Sequence, residues 1–518
     1  MRNQKNAESP QTVPSRTVRV LALLLLAVFM AAVLNLSAYT DFAARRRQTP
    51  VIIVHGLAGS NLYENPGTPD ERQLAVSGLG IGAESLLNYP KIFPTIVRLL
   101  TNETSELDFE TTLAKLHEAA LKTELNCDEN GNSKPNIGIN NYWTDSLANH
   151  PEYFEHSTSG VVKLAKTICM EVGADNVYAF NYDWRLDLVA TGRKLGNYID
   201  EIKEQTGHDK VIVVTDSLGG ITVACYIDAH RTDNELERVV FINSAFDGVN
   251  CASTFEHGIV IPEELADRYL DRLGAALKDG QFELLFFYGA SLFGGVMNNL
   301  SQHATTAKAD PEKEKRLIME FFRPIIGCVP ALWECLPYED FDNAVAYMTD
   351  IGFLDTGSGL YKKLVRYHGV QKRLTENLRY LDAHGVDVAI FANYGFPGLP
   401  VTPESYEQTD LLIETSRCSA GATVALYGKQ LDGPSGDPKY LSPDKEIDAS
   451  TCALPDRTWF FKNIHHLGYA PGSDISRFMI RIAVGTLPGT VEDVKAETGY
   501  GQFLHVHKDQ SFANVEAG

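Results

Sequence analysis

Short apolar runs rich in Val, Ile and Phe recur along the chain, separated by stretches in which apolar residues return every three or four positions. The runs predict strands at Val51–Val54, Asn176–Phe180, Lys210–Val214, Val239–Asn243, Asp387–Asn393, Thr423–Tyr427 and Thr458–Lys462. Most of these runs are continuous and do not alternate, which is the pattern of strands covered by helices on both faces. The stretches between them predict helices such as Ser159–Val172, Leu186–Thr206 and Leu218–Arg231. Strand and helix in regular alternation imply an α/β fold with a mostly parallel central sheet.

Two segments break the alternation, at about 65–151 and about 251–369, and neither carries a comparable strand series. Insertions of this size over an α/β core are expected to form caps or lids. The second is rich in large apolar residues, among them Phe286, Phe287, Leu292, Phe293, Phe321, Phe322 and Trp333. On composition alone, a cap with a small core of its own is favoured over a lipid-contacting surface. After Pro488 the periodicity fades, so 489–518 reads as a fraying tail. Internal repeats are not evident.

One pattern is of a different kind. Val20 to Leu34 is an unbroken apolar run of fifteen, preceded by Arg2, Lys5, Arg16 and Arg19 and followed by the small-residue patch Leu36-Ser-Ala38. Its length lies between a long signal-peptide core and a short membrane span, so 1–47 is expected to export the chain or anchor it to a membrane. The main domain would then run from 48 to 488.

Composition narrows the class. The chain has 518 residues, 44% apolar and 10% aromatic, which places it among globular proteins. Its 67 acidic residues outnumber 46 basic ones, giving a net charge of −21. Such a chain repels a phosphate backbone, and no basic stretch interleaved with aromatics offsets this, so nucleic acid is excluded as an expected partner. Eight cysteines in this length do not make a disulfide scaffold. Pairs at Cys328–Cys335 or Cys418–Cys452 are reasonable in an exported protein, whereas Cys225, in an apolar helix, reads as a buried thiol. Asn102 and Asn299 begin glycosylation sequons. No Cys-x-x-Cys or His-Glu-x-x-His motif occurs, so no metal is expected, and no organic cofactor is required.

The chemistry concentrates in Lys210-Val-Ile-Val-Val-Thr-Asp-Ser-Leu-Gly-Gly, which reads as a strand, a tight turn centred on Ser217, and a helix. That context makes a nucleophile elbow, with the serine at the apex and Gly219 allowing close packing of helix on strand. The motif reads Thr215-Asp-Ser-Leu-Gly219 where Gly-x-Ser-x-Gly is usual. The N–H of Leu218, at the helix start, and that of Leu57, in the Gly-bracketed loop His55-Gly-Leu-Ala-Gly59, can form an oxyanion hole. A serine nucleophile also needs a base and an acid downstream. His465-His466, after the last predicted strand, offers the base, and the loop after Thr423–Tyr427 offers Asp432, Asp437, Asp444 and Asp448 as the acid.

These elements resemble the lecithin:cholesterol acyltransferase and lysosomal phospholipase A2 family. The resemblance rests on Pro50-Val-Ile-Ile-Val-His-Gly-Leu-Ala-Gly-Ser, Asn181-Tyr-Asp-Trp-Arg185, the Ser-Leu-Gly elbow and Phe241-Ile-Asn-Ser-Ala-Phe-Asp-Gly-Val249. It continues through Val329-Pro-Ala-Leu-Trp-Glu-Cys-Leu-Pro337, Tyr394-Gly395, Pro400-Val-Thr-Pro403 and Ile464-His-His-Leu467, in the family's order. It implies an α/β-hydrolase fold, with Ser217 as nucleophile, His466 as base, and Leu57 and Leu218 as oxyanion donors. Asp437, after Gly436, best matches the family's acid loop. The residue before the family's serine is usually His, and here it is Asp216. The implied activity is serine-dependent hydrolysis or transfer of a lipid acyl ester at a membrane or lipid-particle surface, through an acyl-enzyme. A hydrolase of small soluble esters and an inactive lipid-binding protein on the same scaffold are the alternatives. Head group, acyl chain, acceptor and oligomeric state are not encoded in these motifs.

Overall fold

The computed structural model describes residues 48–74, 106–121, 126–154, 160–253, 315–316, 319–320, 323–398 and 407–517. The contacts divide the chain into Met1–Gln48 and Thr49–Gly518, and everything below concerns the second unit. Among the described residues no helix is long and apolar enough to cross a membrane. The Val20–Leu34 run, both sequons and the Phe-rich part of the second insertion lie outside them.

Eight strands form the central sheet: β1 (Val51–Val54), β2 (Val177–Phe180), β3 (Val211–Asp216), β4 (Leu236–Ile242), β5 (Asp387–Tyr394), β6 (Thr458–Lys462), β7 (Phe503–Val506) and β8 (Phe512–Asn514). Their order is β8-β7-β6-β5-β4-β3-β1-β2, and every pairing is parallel except β7 with β8. Continuous apolar strands are needed because both faces are covered. Ile52 and Val54 of β1 enter one core cluster, while Val51 and Ile53 enter the other, as the two-residue period of a strand requires. All four are wholly buried, each worth about 1.5–3 kcal/mol relative to exposure.

Helices α1 (Gly160–Val172) and α5 (Asp474–Ala483) cover the face of Val51. Helices α2 (Leu188–Thr206), α3 (Gly219–His230) and α4 (Gly359–Ala383) cover the other. The Asp187 side chain caps α2 by accepting from the N–H groups of Val189 and Ala190, and Gly207 closes it in the left-handed conformation at φ 70°. Tyr63–Glu64, just before the first predicted insertion, pairs with Arg72–Gln73 and Ile137–Gly138 within it in a small three-stranded sheet. The second ends earlier than its expected bound of 369, because α4 is one continuous helix packed on α3. Trp333 is buried in the core and donates to the Gly327 carbonyl at 3.1 Å.

Three further expectations need correction. Thr423–Tyr427 is not a central strand; Thr423–Val424 pairs antiparallel with Ile447–Asp448 in a separate two-stranded ribbon. The segment after Pro488 does not fray, since it forms a helix at Val491–Thr498 and then β7 and β8, anchored by Phe503, Leu504 and Val506 in the two cores. The cysteines proposed as pairs are free thiols, as is Cys225. Burial pushes Cys335 and Cys452 up to about 12, and Cys418 also well above the ordinary thiol value, which suppresses the thiolate that disulfide exchange requires.

Candidate active site

The chain enters the sheet at β1, pairs β2 on one side of it and β3 on the other. The helix that next follows β1, α1, lies on one face of the sheet, and α3, which follows β3, lies on the opposite face. Crevices in parallel sheets open at such a reversal, outside the carboxyl ends of the strands. Two segments meet there. A Cβ at Gly56, just after β1, would lie 2.7 Å from Cβ and 3.2 Å from Oγ of Ser217, just after β3.

Ser217 is the first residue past β3 and has φ 51°. A non-glycine side chain in the left-handed region costs on the order of 1 kcal/mol or more, so the turn is held against strain by its surroundings. Ser217 N–H donates to the Ile242 carbonyl at 3.2 Å, and its carbonyl accepts from Gly220 at 3.0 Å and Ala245 at 2.9 Å. Close packing around the turn explains both glycines that follow. A Cβ at Gly219 would meet the carbonyl oxygens of Val54 and His55 at 2.6 and 2.7 Å, and one at Gly220 would meet Cβ of Ser244 at 2.3 Å. Thr215, the departure from the usual motif, is accommodated because its hydroxyl donates to the Val54 carbonyl at 2.9 Å. Leu218 follows at the start of α3 and Leu57 sits in the turn closed by Gly59 N–H to Gly56 carbonyl, so both oxyanion candidates flank Ser217.

His466 lies in the loop after β6 and is the buried member of the His pair. Its Nδ1 bonds Oδ2 of Asp410 at 2.5 Å, and its backbone N–H donates to the Asp410 carbonyl at 2.8 Å. Burial by itself works to lower the His466 pKa, but the charge and hydrogen bond of Asp410, with a further contribution from Asp216, raise it above the ordinary imidazole value. Asp410 is wholly buried, and its Oδ1 accepts from the N–H groups of Leu412 at 2.9 Å and Ile413 at 2.7 Å.

The acid beside the histidine is therefore Asp410, not Asp437. Asp437 is exposed and only caps the short turn Pro438–Tyr440 through Lys439 N–H at 3.0 Å. The alternatives are also elsewhere. Asp432 is exposed; Asp444 pairs with Lys462 at 2.7 Å; Asp448 caps Ala449–Thr451. The Thr423–Val424 ribbon has the β-branched composition of a strand, so the loop after it is the wrong place for this carboxylate. Counting β5 as the fifth strand directs attention to the loop after Tyr394, where Thr409-Asp410-Leu-Leu-Ile413 has the Asp-led turn that the structure forms.

Several neighbours hold this arrangement. His55 is buried, stacked on Tyr182 with ring centroids 4.3 Å apart, and its Nε2 lies 2.5 Å from Ser60 Oγ. Burial depresses its pKa to about 4, only partly opposed by its bond to the Gly56 carbonyl, so the ring is neutral near neutral pH. Arg417 joins the Asp410 segment to the loop after β4, with Nε on Asn250 Oδ1 at 2.5 Å and a terminal N–H on Glu339 at 2.7 Å. Burial pushes Asp247 up to about 6, against the lowering charge of Arg417. It pushes Glu414, which accepts from Asn250 N–H at 2.8 Å, up to about 8. Arg185 in the Tyr-Asp-Trp-Arg element is wholly buried and paired with Asp183 at 2.6 Å. Away from this edge, His230, Asp233 and Glu235 come close enough together to hold a metal ion, but Lys203 at 2.7 Å and Tyr226 at 3.1 Å already engage both oxygens of Glu235.

No family model and no curated protein matches this chain. Among solved structures it is similar to a chain of the Tle4–Tli4 complex, at 10% identity and a TM-score of 0.34, over 84% of this chain and 96% of that one. The fold itself is that of an α/β protein with a mostly parallel eight-stranded sheet flanked by helices.

Proposed function

We propose that this chain is a serine-dependent acyl-ester hydrolase or O-acyltransferase of the α/β-hydrolase type, acting on lipid esters. One observation carries the reading. Ser217, Asp410 and His466 follow the carboxyl ends of β3, β5 and β6 in that chain order, with the serine strained at a strand-to-helix turn and the histidine bonded to a buried aspartate. With Nδ1 committed to Asp410, Nε2 of His466 is the nitrogen that takes the Ser217 proton. The serine Oγ then bonds to the ester carbonyl carbon, whose oxygen is received by the Leu57 and Leu218 N–H groups. Collapse breaks the bond to the leaving alcohol, which gains its proton from His466. Water or an acceptor alcohol repeats the sequence on the acyl-enzyme and restores Ser217. Neither metal nor organic cofactor is called for by these steps.

The lipid assignment is supported by the ordered motifs from Pro50 to Leu467 and by the apolar N-terminal run, which would deliver the enzyme to a membrane or secretory setting. The site is tested by fluorophosphonate labelling of Ser217 and by turnover of a phospholipid panel with and without acceptor alcohol, followed by product mass analysis. Ser217→Ala should abolish both with the fold intact; retained turnover overturns the mechanism. Equal turnover of short soluble esters and aggregated lipid favours the small-ester reading, and a folded protein that never labels favours the binding protein.

A further inference from the structure

Asp216 stands immediately before the nucleophile, yet its side chain is directed inward and is 4% exposed. Its Oδ2 accepts from the N–H of Val161 at 2.8 Å, in the first turn of α1. That position favours the ionised carboxylate, because the amino end of a thirteen-residue helix presents unpaired N–H groups and partial positive charge. A Cβ built on Gly160 would lie 3.0 Å from this same oxygen and 3.4 Å from the backbone carbonyl oxygen of His466, so the Asp216 carboxylate and the His466 main chain both border the space that Gly160 leaves open. A side chain at Gly160 would crowd both groups.

We propose that Asp216 is a positioning residue for the reaction above, a fixed negative charge behind His466 that stabilises the imidazolium formed when Ser217 surrenders its proton. The inference rests on the proposed function of the same site. It gives His466 two carboxylates of unequal reach. Asp410 touches Nδ1 and fixes the ring, whereas Asp216 acts through space from the α1 side and from the nucleophile's own turn.

Tyr153, from the turn Pro151–Phe154, and Tyr182, after β2, are both raised first by burial and then by the Asp216 charge, so each is neutral over the working range. Lys163, one turn along α1, is drawn to the Leu467 carbonyl at 3.2 Å, and Asp410 is bonded to Nδ1 of His466. His466 is thus the group nearby whose charge changes during the reaction and responds to Asp216.

The test is the pH dependence of fluorophosphonate labelling at Ser217 in the full chain, for wild type, Asp216→Asn and Asp216→Ser. Asn keeps an acceptor for Val161 and removes only the charge. Because a negative neighbour favours the protonated ring, its removal should move the acid limb to lower pH by about one unit, the scale of a charge roughly 10 Å away at an effective permittivity of about 20. The plateau rate should fall severalfold, with ester kcat lowered and KM unchanged. A lowered melting temperature with an unmoved acid limb assigns Asp216 a structural role only and overturns the proposal. So does failure of both variants to fold. A wild-type protein that never labels at Ser217 removes the proposed function itself, an outcome separate from either.

Discussion

Replacing Asp410 by Asn separates the two jobs of that carboxylate. Oδ1 accepts from Leu412 and Ile413, and an amide oxygen can keep both bonds. Oδ2 accepts from Nδ1 of His466 at 2.5 Å, and the amide nitrogen that replaces it is a donor. The ring must then offer a lone pair at Nδ1 and carry its proton on Nε2, the nitrogen that has to accept from Ser217. Turning the wrong tautomer into the resting state, and losing the charge that supports the imidazolium, costs about 10⁴-fold in kcat for triads of this geometry. At about 1.36 kcal/mol per decade this is about 5.4 kcal/mol of transition-state stabilisation. Folding should suffer less, by about 1.5–3 kcal/mol for the charge-assisted bond alone. Asp410→Ala would also strand the buried N–H of Ile413, adding about 1–3 kcal/mol, and the half-buried N–H of Leu412. The assay is initial-rate ester hydrolysis at saturating substrate, with urea unfolding of the same samples and Asp437→Asn in parallel. Asp437→Asn, altering an exposed cap, should leave kcat within a factor of two or so of wild type. If Asp410→Asn retains activity within an order of magnitude, or Asp437→Asn loses as much as it does, the assignment of the acid is refuted.

Ser217→Gly should unfold at higher urea than Ser217→Ala, by about 1 kcal/mol, because glycine adopts φ 51° without strain; equal midpoints would show that the turn stores none. His55 is neutral in the fold with a pKa of about 4 against an ordinary 6.5. The unfolded chain therefore binds the extra proton between those values, and stability falls as pH drops from 6.5 toward 4 by roughly 3 kcal/mol at 1.36 kcal/mol per unit. His55→Gln should flatten that part of the pH–stability curve, and an unchanged slope would count against the buried neutral ring. Glu414 has the opposite sign. It stays protonated in the fold up to about pH 8, so wild-type stability declines as pH rises from the ordinary 4.5 toward 8, and Glu414→Gln should gain on wild type across that window in denaturant titrations.

The sheet was legible because its central strands are buried on both faces, and an uninterrupted run such as Val51-Ile-Ile-Val54 has few other places to be. β7 and β8 were not, because Phe503–Val506 and Phe512–Asn514 are short and sit at an edge where polar residues such as His505 and Asn514 intervene. The tight turn at Ser217 could be read from local sequence, since it is made by adjacent residues. The partner of His466 could not. A carboxylate that meets a histidine across 56 positions is defined by which strand precedes its loop, and a ribbon that resembles a strand at Thr423–Val424 points past Asp410 to Asp437. Asp216 was visible from the start, but only the meeting of Val161, Gly160 and His466 gives its charge a direction.

The C-terminal ribbon bears on how the newly made chain survives. β6 is followed by the loop that carries His466 of the proposed chemistry, and the open side of β6 is covered only once Phe503–Val506 has been made and paired along it as β7. Until then the Thr458-Trp-Phe-Phe-Lys462 strand presents an unpaired, aromatic backbone edge, the kind of template on which neighbouring chains nucleate cross-strand assembly. A transcript or protease that ends the protein near Pro488 would thus release a species with every residue of the proposed chemistry and a sticky margin, prone to aggregate before it turns over any ester.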